Sequence, residues 1–398
     1  MSPPSALVRL LVAALALTLT ACTAAEPPTT EPTPTSAAAT TTPYRPIAPQ
    51  RPFAAICAEA TLDRLDLAGR AGQVLMVGLD VTDPLARFDE LAAFRIGNVF
   101  LAGRSSAGAE PLRTAISGLQ AQAVGTTGAF LQIAVDQEGG FVQTLTGPGF
   151  SVIPTALEQA DQPDLAQRAG QWAAEVAGTG ITLNLAPVAD VVPAGTAQQN
   201  PPIGASSRQY GSEPADVAAT LTTVVTAMRE AGLATTVKHF PGLGRVQVNT
   251  DTSTGATDTQ ATADDPALLP FQAGIAAGTD AVMMSSASYP QLDPDEPAAF
   301  SAPIIGGLLR DRLGFDGIVI SDDLGNAVAV SGRPAGQRAV DFLAAGGDLV
   351  LTVNVADAGP MTAAVVQRAQ GDPAFASRLD EAALRVLRSK QEAGLLVC

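Results

Sequence analysis

Beyond residue 70 the chain alternates short apolar runs with longer stretches whose apolar residues recur at helical spacing. The runs are Val74–Asp80, Ile96–Gly103, Phe130–Gly140, Ile181–Val191, Ala234–Phe240, Ala281–Tyr289, Gly317–Leu324 and Asp348–Val355. They are nearly continuously apolar, as strands covered on both faces are. Between them lie stretches such as "PDLAQRAGQWAAEVAGTG", "PADVAATLTTVVTAMREAG", "PALLPFQAGIAAG" and "APIIGGLLRDRLGF", several ending at glycine, as helices often do. The alternation predicts a single α/β domain over residues 56–398, a (β/α)8 TIM barrel. A doubly wound open sheet competes with it, because a strand count alone does not close a barrel.

Polar residues gather where those strands end. Asp80, Asp136, Glu138, Asp190, Lys238, His239, Ser285, Asp322, Asp323 and Asn354 all fall at or just past the C-terminal end of a predicted strand. In a TIM barrel that face carries the active site. The location of a site is therefore predicted before its chemistry.

The first residues follow a different pattern. Arg9 precedes an apolar run from Leu10 to Leu19, and small residues lead to Cys22 in "LTAC". The run is short for a membrane span, and the layout is that of an export signal over residues 1–21. Its end resembles a bacterial lipobox, with Cys22 as the lipidated residue. An ordinary signal peptide with a coincidental cysteine is the other reading. Several acyl chains on Cys22 would anchor the protein stably to the outer face of the cell membrane. Residues 22–55 are rich in Thr, Pro and Ala and lack the apolar content that offsets ordering entropy, which predicts an extended tether. Of the remaining cysteines, Cys57 and Cys398 lie at opposite ends of the domain. In an oxidising exported setting they form a candidate disulfide, with two free thiols as the alternative.

The net charge of −16 excludes nucleic acid as an electrostatic partner. With one histidine and no clustered cysteines, a transition-metal site is poorly supplied, and the expectation is no metal and no cofactor. A hard-cation site on the paired aspartates and a Schiff base on Lys238 are lesser alternatives. Nearby carboxylates would hold that amine protonated, against the second of these. Nucleotide chemistry has no phosphate-cradling glycine motif to support it. What the strand ends do supply is carboxylates, with Lys, Arg and His to grip hydroxyls. A carboxylate nucleophile opposite a proton donor is the arrangement of glycoside hydrolases.

Six segments carry a resemblance when taken in order: "VDQEGGFVQTL", "LNLAPVADV", "SSRQYGSEP", "TVKHFPGLG", "LLPFQAGI" and "LGFDGIVISDDL". Together they are similar to the glycoside hydrolase family 3 β-N-acetylglucosaminidases of the single-barrel type. With its lipobox and tether the chain looks like the actinobacterial lipoproteins of that branch. The resemblance implies retaining hydrolysis of a terminal β-linked N-acetylglucosamine in cell-wall-derived glycans or muropeptides. It implies Asp322, the first aspartate of "SDD", as nucleophile, and Asp136, Arg208, Lys238 and His239 as sugar contacts. Residue by residue, Asp322 also fits a helix N-cap, though Asp323 fits one better. Arg208 also fits a surface ion pair with Glu213, and Glu138 a support for the tight "EGG" turn.

The chain departs from the family pattern in two places. The family loop reads KHFPGHG followed by Asp-Ser-His, whose histidine is the acid/base. Here Leu243 stands in place of the first loop histidine, and Asn249-Thr250-Asp251 in place of Asp-Ser-His. After "DQEGG", where the family often carries arginines, stand Phe141 and Thr144. Asp251 is the expected acid/base, with its pKa raised by burial once a mobile loop closes. A catalytically weak enzyme, a sugar-binding lipoprotein without catalysis, and an N-acetylglucosaminide phosphorylase are the alternatives. Oligomeric state is not legible.

Overall fold

A computed structural model describes residues 51–396, with side chains from Cys57 onward. The export segment, the tether, Cys22 and Cys398 lie outside the described residues. Eight parallel strands form one sheet: β1 (Leu75–Asp80), β2 (Asn98–Ala102), β3 (Gln132–Val135), β4 (Leu183–Asn184), β5 (Ala234–Phe240), β6 (Ala281–Met284), β7 (Ile318–Ser321) and β8 (Val350–Thr352). They follow one another in chain order, and β8 pairs with β1. An Ile320–Leu349 bridge joins β7 to β8, with backbone bonds from Leu349 N to Val319 O (3.1 Å) and from Ser321 N to Leu349 O (3.0 Å). The sheet closes on itself. The fold is the expected TIM-type barrel, not an open sheet.

A helix follows each strand. The longer ones are Ala109–Thr127 after β2, Leu165–Ala177 after β3, Pro214–Glu230 after β4 and Ala358–Gly371 after β8. Outside the barrel repeat, a helix over Arg51–Arg64 packs on the last helix, Pro373–Glu392. It begins ahead of the expected domain start at residue 56. Cys57, on that first helix, is disulfide-bonded; its expected partner, Cys398, lies outside the described residues.

Strand alternation divides the core in two. Leu75, Val77 and Leu79 of β1 face the helices, and Val319 of β7 does the same. Met76 of β1, Phe100 of β2, Ala134 of β3, Met283 of β6 and Ile318 and Ile320 of β7 fill the barrel interior. Such period-two partitioning is what a closed sheet imposes. The inner layer forms a packed floor, and the site rests on it.

Candidate active site

Phe100, Leu185, Met283 and Leu351 are the uppermost residues of that floor, and above them opens a cavity of about 290 Å3. Its polar lining is Asp136, Arg208, Lys238, His239, Asn249, Thr250, Asp251, Asp322 and Asp323. All six residues expected to bind or react, Asp322, Asp251, Asp136, Arg208, Lys238 and His239, meet in this one space. Of the other strand-end residues, Asp323 joins them there, whereas Asp80 and Asn354 do not. Asp80 turns outward and accepts from Thr82 N and Oγ1, and Asn354 accepts from Ala356 N.

Strand β5 delivers two consecutive residues to one cavity, which a regular strand cannot do because neighbouring side chains alternate faces. Its pairing with β6 shifts between Lys238, opposite Met283, and Phe240, opposite Met284. His239 is the extra residue of this bulge, and a bulge re-aims side chains. The Lys238–His239 and Phe240–Pro241 peptides are both cis.

Glu138 organises the cationic wall. It is buried, takes Arg208 Nη2 and Nε through its two carboxylate oxygens at 2.7 and 2.9 Å, and lies 2.7 Å from Lys238 Nζ. Lys238 Nζ also donates to Asp136 Oδ1 at 2.7 Å. Burial works to raise the pKa of Glu138, but the Arg208 and Lys238 charges outweigh it and hold the carboxyl well below the usual range. Burial likewise works to lower that of Lys238, and Asp136 and Glu138 reverse it, so the amine stays protonated. A protonated amine is no Schiff-base nucleophile. Arg208 is not the surface partner of Glu213 but an anchored cation whose partner is 70 residues away in sequence. Glu138 does more than support its turn: it fixes both cations.

His239 is fixed from behind. Its Nδ1 donates to Asp190 Oδ2 at 2.8 Å, and Asp190 Oδ1 accepts from the backbone N–H of His239 (3.3 Å) and of Leu243 (2.6 Å). With Nδ1 engaged, Nε2 is the ring atom left for a ligand. Asp190 appeared in the sequence only as a strand-end carboxylate without a role.

The loop after β5 is held, not free. Asn200 Nδ2 donates to Leu243 O and Val246 O, both at 2.7 Å, and Arg245 pairs with Asp258 and Asp265. Gly244 runs so close to Val191 O that a Cβ would lie 1.8 Å from it, which excludes any side chain there. Farther on, Ala329 N donates to Thr250 O at 3.0 Å and Val328 N to Asp251 O at 3.3 Å. These bonds join the Asp251 segment to the segment that follows Asp322. Buried polar partners and these backbone bonds tie down the loop expected to move.

Asp322 and Asp323 differ in what they touch. Asp323 Oδ1 accepts from Gly325 N (2.8 Å) and Val353 N (2.9 Å), a structural duty. Asp322 Oδ1 accepts only from Asp323 N, at 2.9 Å, and its carboxylate lines the cavity. The next helix of the barrel repeat starts at Ala335, so neither aspartate caps it. Asp251 is exposed as a residue, but desolvation of its carboxyl at the cavity, together with the Asp322 charge, pushes its pKa up to about 6. Among the described residues, no group of three His, Cys, Asp or Glu side chains could hold a metal ion.

Residues 67–389 match the glycosyl hydrolase family 3 N-terminal domain. The chain belongs to glycoside hydrolase family 3. The crystal structure of a β-N-acetylhexosaminidase from Beutenbergia cavernae DSM 12333 is 48% identical, with a TM-score of 0.80, over 82% of this chain and 98% of that one. A family 3 β-N-acetylglucosaminidase from Paenibacillus sp. str. FPU-7 is 30% identical, with a TM-score of 0.75, over 83% of this chain and 63% of that one. A β-hexosaminidase from Stenotrophomonas maltophilia (strain R551-3) is 43% identical over 230 residues. That alignment covers 55% of this family 3 chain and 66% of the relative's length.

Proposed function

We propose that this family 3 chain is a retaining exo-β-N-acetylglucosaminidase acting on cell-wall-derived glycans or muropeptides. The observation that carries the reading is the placement of Asp251, a carboxyl raised to about 6, in the cavity that also holds Asp322. Two carboxyls whose environments separate their roles are what acid-assisted glycoside cleavage needs. The sugar follows from the relatives, a β-N-acetylhexosaminidase and a β-N-acetylglucosaminidase among them.

In the first step an Asp322 oxygen bonds to the anomeric carbon while the Asp251 proton passes to the glycosidic oxygen. The bond to the leaving group breaks, and a glycosyl ester on Asp322 remains. In the second step ionised Asp251 takes a proton from water, the water oxygen bonds to the anomeric carbon, and the ester bond breaks. Asp136, Arg208, Lys238 and His239 hold the sugar hydroxyls. Lys238 and Arg208, locked by Glu138, donate without having to reorganise, which favours a preorganised site. Export and lipidation on Cys22 would put the enzyme at the outer membrane face, close to wall fragments.

The test compares an aryl N-acetylglucosaminide with a natural disaccharide, for wild type, Asp322→Asn and Asp251→Ala. Asp322→Asn should abolish turnover of both, and intact aryl hydrolysis would remove the nucleophile assignment. Asp251→Ala should slow the disaccharide by about 10²–10⁴-fold and the activated aryl substrate far less. Equal losses on both would take the acid role away from Asp251. Release of sugar 1-phosphate in phosphate buffer would redirect the reading to phosphorolysis, and affinity without turnover to a binding protein.

A further inference from the structure

Arg338 stands in the first turn of the helix Ala335–Ala344 and is only 9% exposed. Burial and the positive end of a helix both disfavour a cation at such a position. Main-chain carbonyls offset that cost. Nε donates to Arg333 O at 2.7 Å, and Nη1 donates to Gly325 O at 2.9 Å and to Leu324 O. Among the described residues, none of these partners is a carboxylate. Arg338 is also not one of the residues that line the cavity.

The three carbonyls lie at the two ends of one segment, 324–333. Its first end begins two residues after Asp322 and is pinned to β8, where Leu324 N donates to Leu351 O at 2.9 Å. Gly325 passes so close to Thr352 that a Cβ would lie 2.3 Å from its Oγ1. Midway along the segment is the 3-10 turn Val328–Val330, which supplies the two N–H groups bound by Asp251 O and Thr250 O. One planar guanidinium therefore draws together the ends of a segment that touches the main chain of both carboxyl-bearing elements. A Lys ammonium, a point charge on a flexible stem, would not fix three acceptors in one plane.

We propose that Arg338 is a positioning residue that sets the spacing of the Asp322 and Asp251 carboxyls through the 324–333 segment, without touching the sugar. This rests on the hexosaminidase reading and deepens it: the nucleophile and the acid share one clamp.

The clamp has a signature in pH dependence. Desolvation does most to raise the Asp251 pKa, followed by the Asp322 charge; Asp323 adds to them, while His239 and Arg208 act against them. Slackening the segment admits water and moves Asp251 away from Asp322. Both changes lower that pKa, so the alkaline limb of activity moves below pH of about 6.

The experiment measures Arg338→Lys, Ala329→Pro and the double variant on the natural disaccharide and the aryl N-acetylglucosaminide. A misplacement of about 1 Å costs about 100-fold, so Arg338→Lys should lose about that much kcat on the disaccharide. The aryl glycoside, which needs little help from the acid, should lose only about tenfold, with KM of both substrates within about twofold of wild type. The alkaline limb should shift to lower pH in the same variant. Ala329→Pro removes the N–H donated to Thr250 O and should give the same split between substrates. Because both changes act on one path, the double variant should be worse than Arg338→Lys by no more than about threefold. Equal losses on the two substrates, an alkaline limb that stays in place, or losses that multiply in the double variant overturn the proposal. So does an Arg338→Lys protein that fails to fold, since the residue would then serve stability alone. If wild type turns over neither substrate, the hexosaminidase reading itself fails.

Discussion

Asp190 and His239 meet at 2.8 Å through Oδ2 and Nδ1, and the carboxylate decides which ring nitrogen the cavity sees. Asp190→Asn keeps an oxygen for the two backbone N–H groups but offers the ring an NH2. The imidazole must then accept through Nδ1 and carry its proton on Nε2. Kinetics should show a loss of about 10–100-fold in kcat/KM, mostly through KM, the size of one mismatched buried hydrogen bond. Melting temperature should move little. Asp190→Ala, by contrast, should melt well below wild type, because it frees three donors at once.

Glu138→Gln leaves Arg208 and Lys238 with one fewer counter-charge in a buried wall. Breaking a buried pair costs about 3–5 kcal/mol, so thermal melts at pH 7 should fall by roughly 5–10 °C. The folded-state pKa of Glu138 is lowered, so its contribution is fully present above the unfolded value of 4.5 and declines as pH falls below it. The gap between variant and wild type should narrow under acid. A constant gap from pH 7 to pH 3 would mean that charge is not the cause.

The pH profile reads Asp251 directly. In the proposed mechanism Asp251 must be protonated for the first step, so kcat/KM for the disaccharide should fall as pH rises through about 6. That alkaline limb should vanish in Asp251→Ala assayed on the aryl substrate. Because its folded pKa is raised, the ionised carboxylate destabilises the protein above pH 6 and has no effect below the unfolded value of 3.8. Asp251→Asn should therefore raise the melting temperature by about 1–2 °C at pH 8 and leave it unchanged near pH 3.5.

Lys390 is fully buried on the last helix, its Nζ donating to Gln73 Oε1 (2.7 Å) and Gly97 O (2.6 Å), and burial pushes its pKa down to about 7. Between pH 7 and 10.5 the unfolded chain binds a proton there that the folded chain does not, so stability rises with pH by at most about 1.4 kcal/mol per unit. Lys390→Met should flatten that rise in melts between pH 7 and 9.5. Parallel curves for the two proteins would show that the amine titrates normally.

The barrel was legible because each strand is covered on both faces and reads as an apolar run. Strand ends were less so. The run Phe130–Gly140 divides at Asp136 into β3 and a separate hairpin, and of Ile181–Val191 only Leu183–Asn184 is regular strand, with an irregular continuation that bridges Lys238 at Val188. Pro187 brings no N–H to that ladder. In the site, Asp322, Lys238 and Arg208 could be named from motifs, whereas Glu138 as the partner of both cations could not. Its partners lie far along the chain, and turn chemistry explains an "EGG" equally well. The bulge at His239 leaves no mark in composition, since it arises from pairing with β6. Nor does the sequence of the loop after β5 disclose its stitching, because glycines and polar residues read alike in held and mobile loops.

The bonds from Ala329 to Thr250 and from Val328 to Asp251 have a bearing on redesign. The segment carrying Asp251 and the segment following Asp322 share main-chain partners, so neither can be exchanged alone without orphaning groups on the other. Grafting a histidine-bearing donor loop from a relative therefore calls for a two-piece transplant, 241–252 with 322–331. A chimera built from the first piece only should lose the alignment of the carboxylates before it gains a better acid.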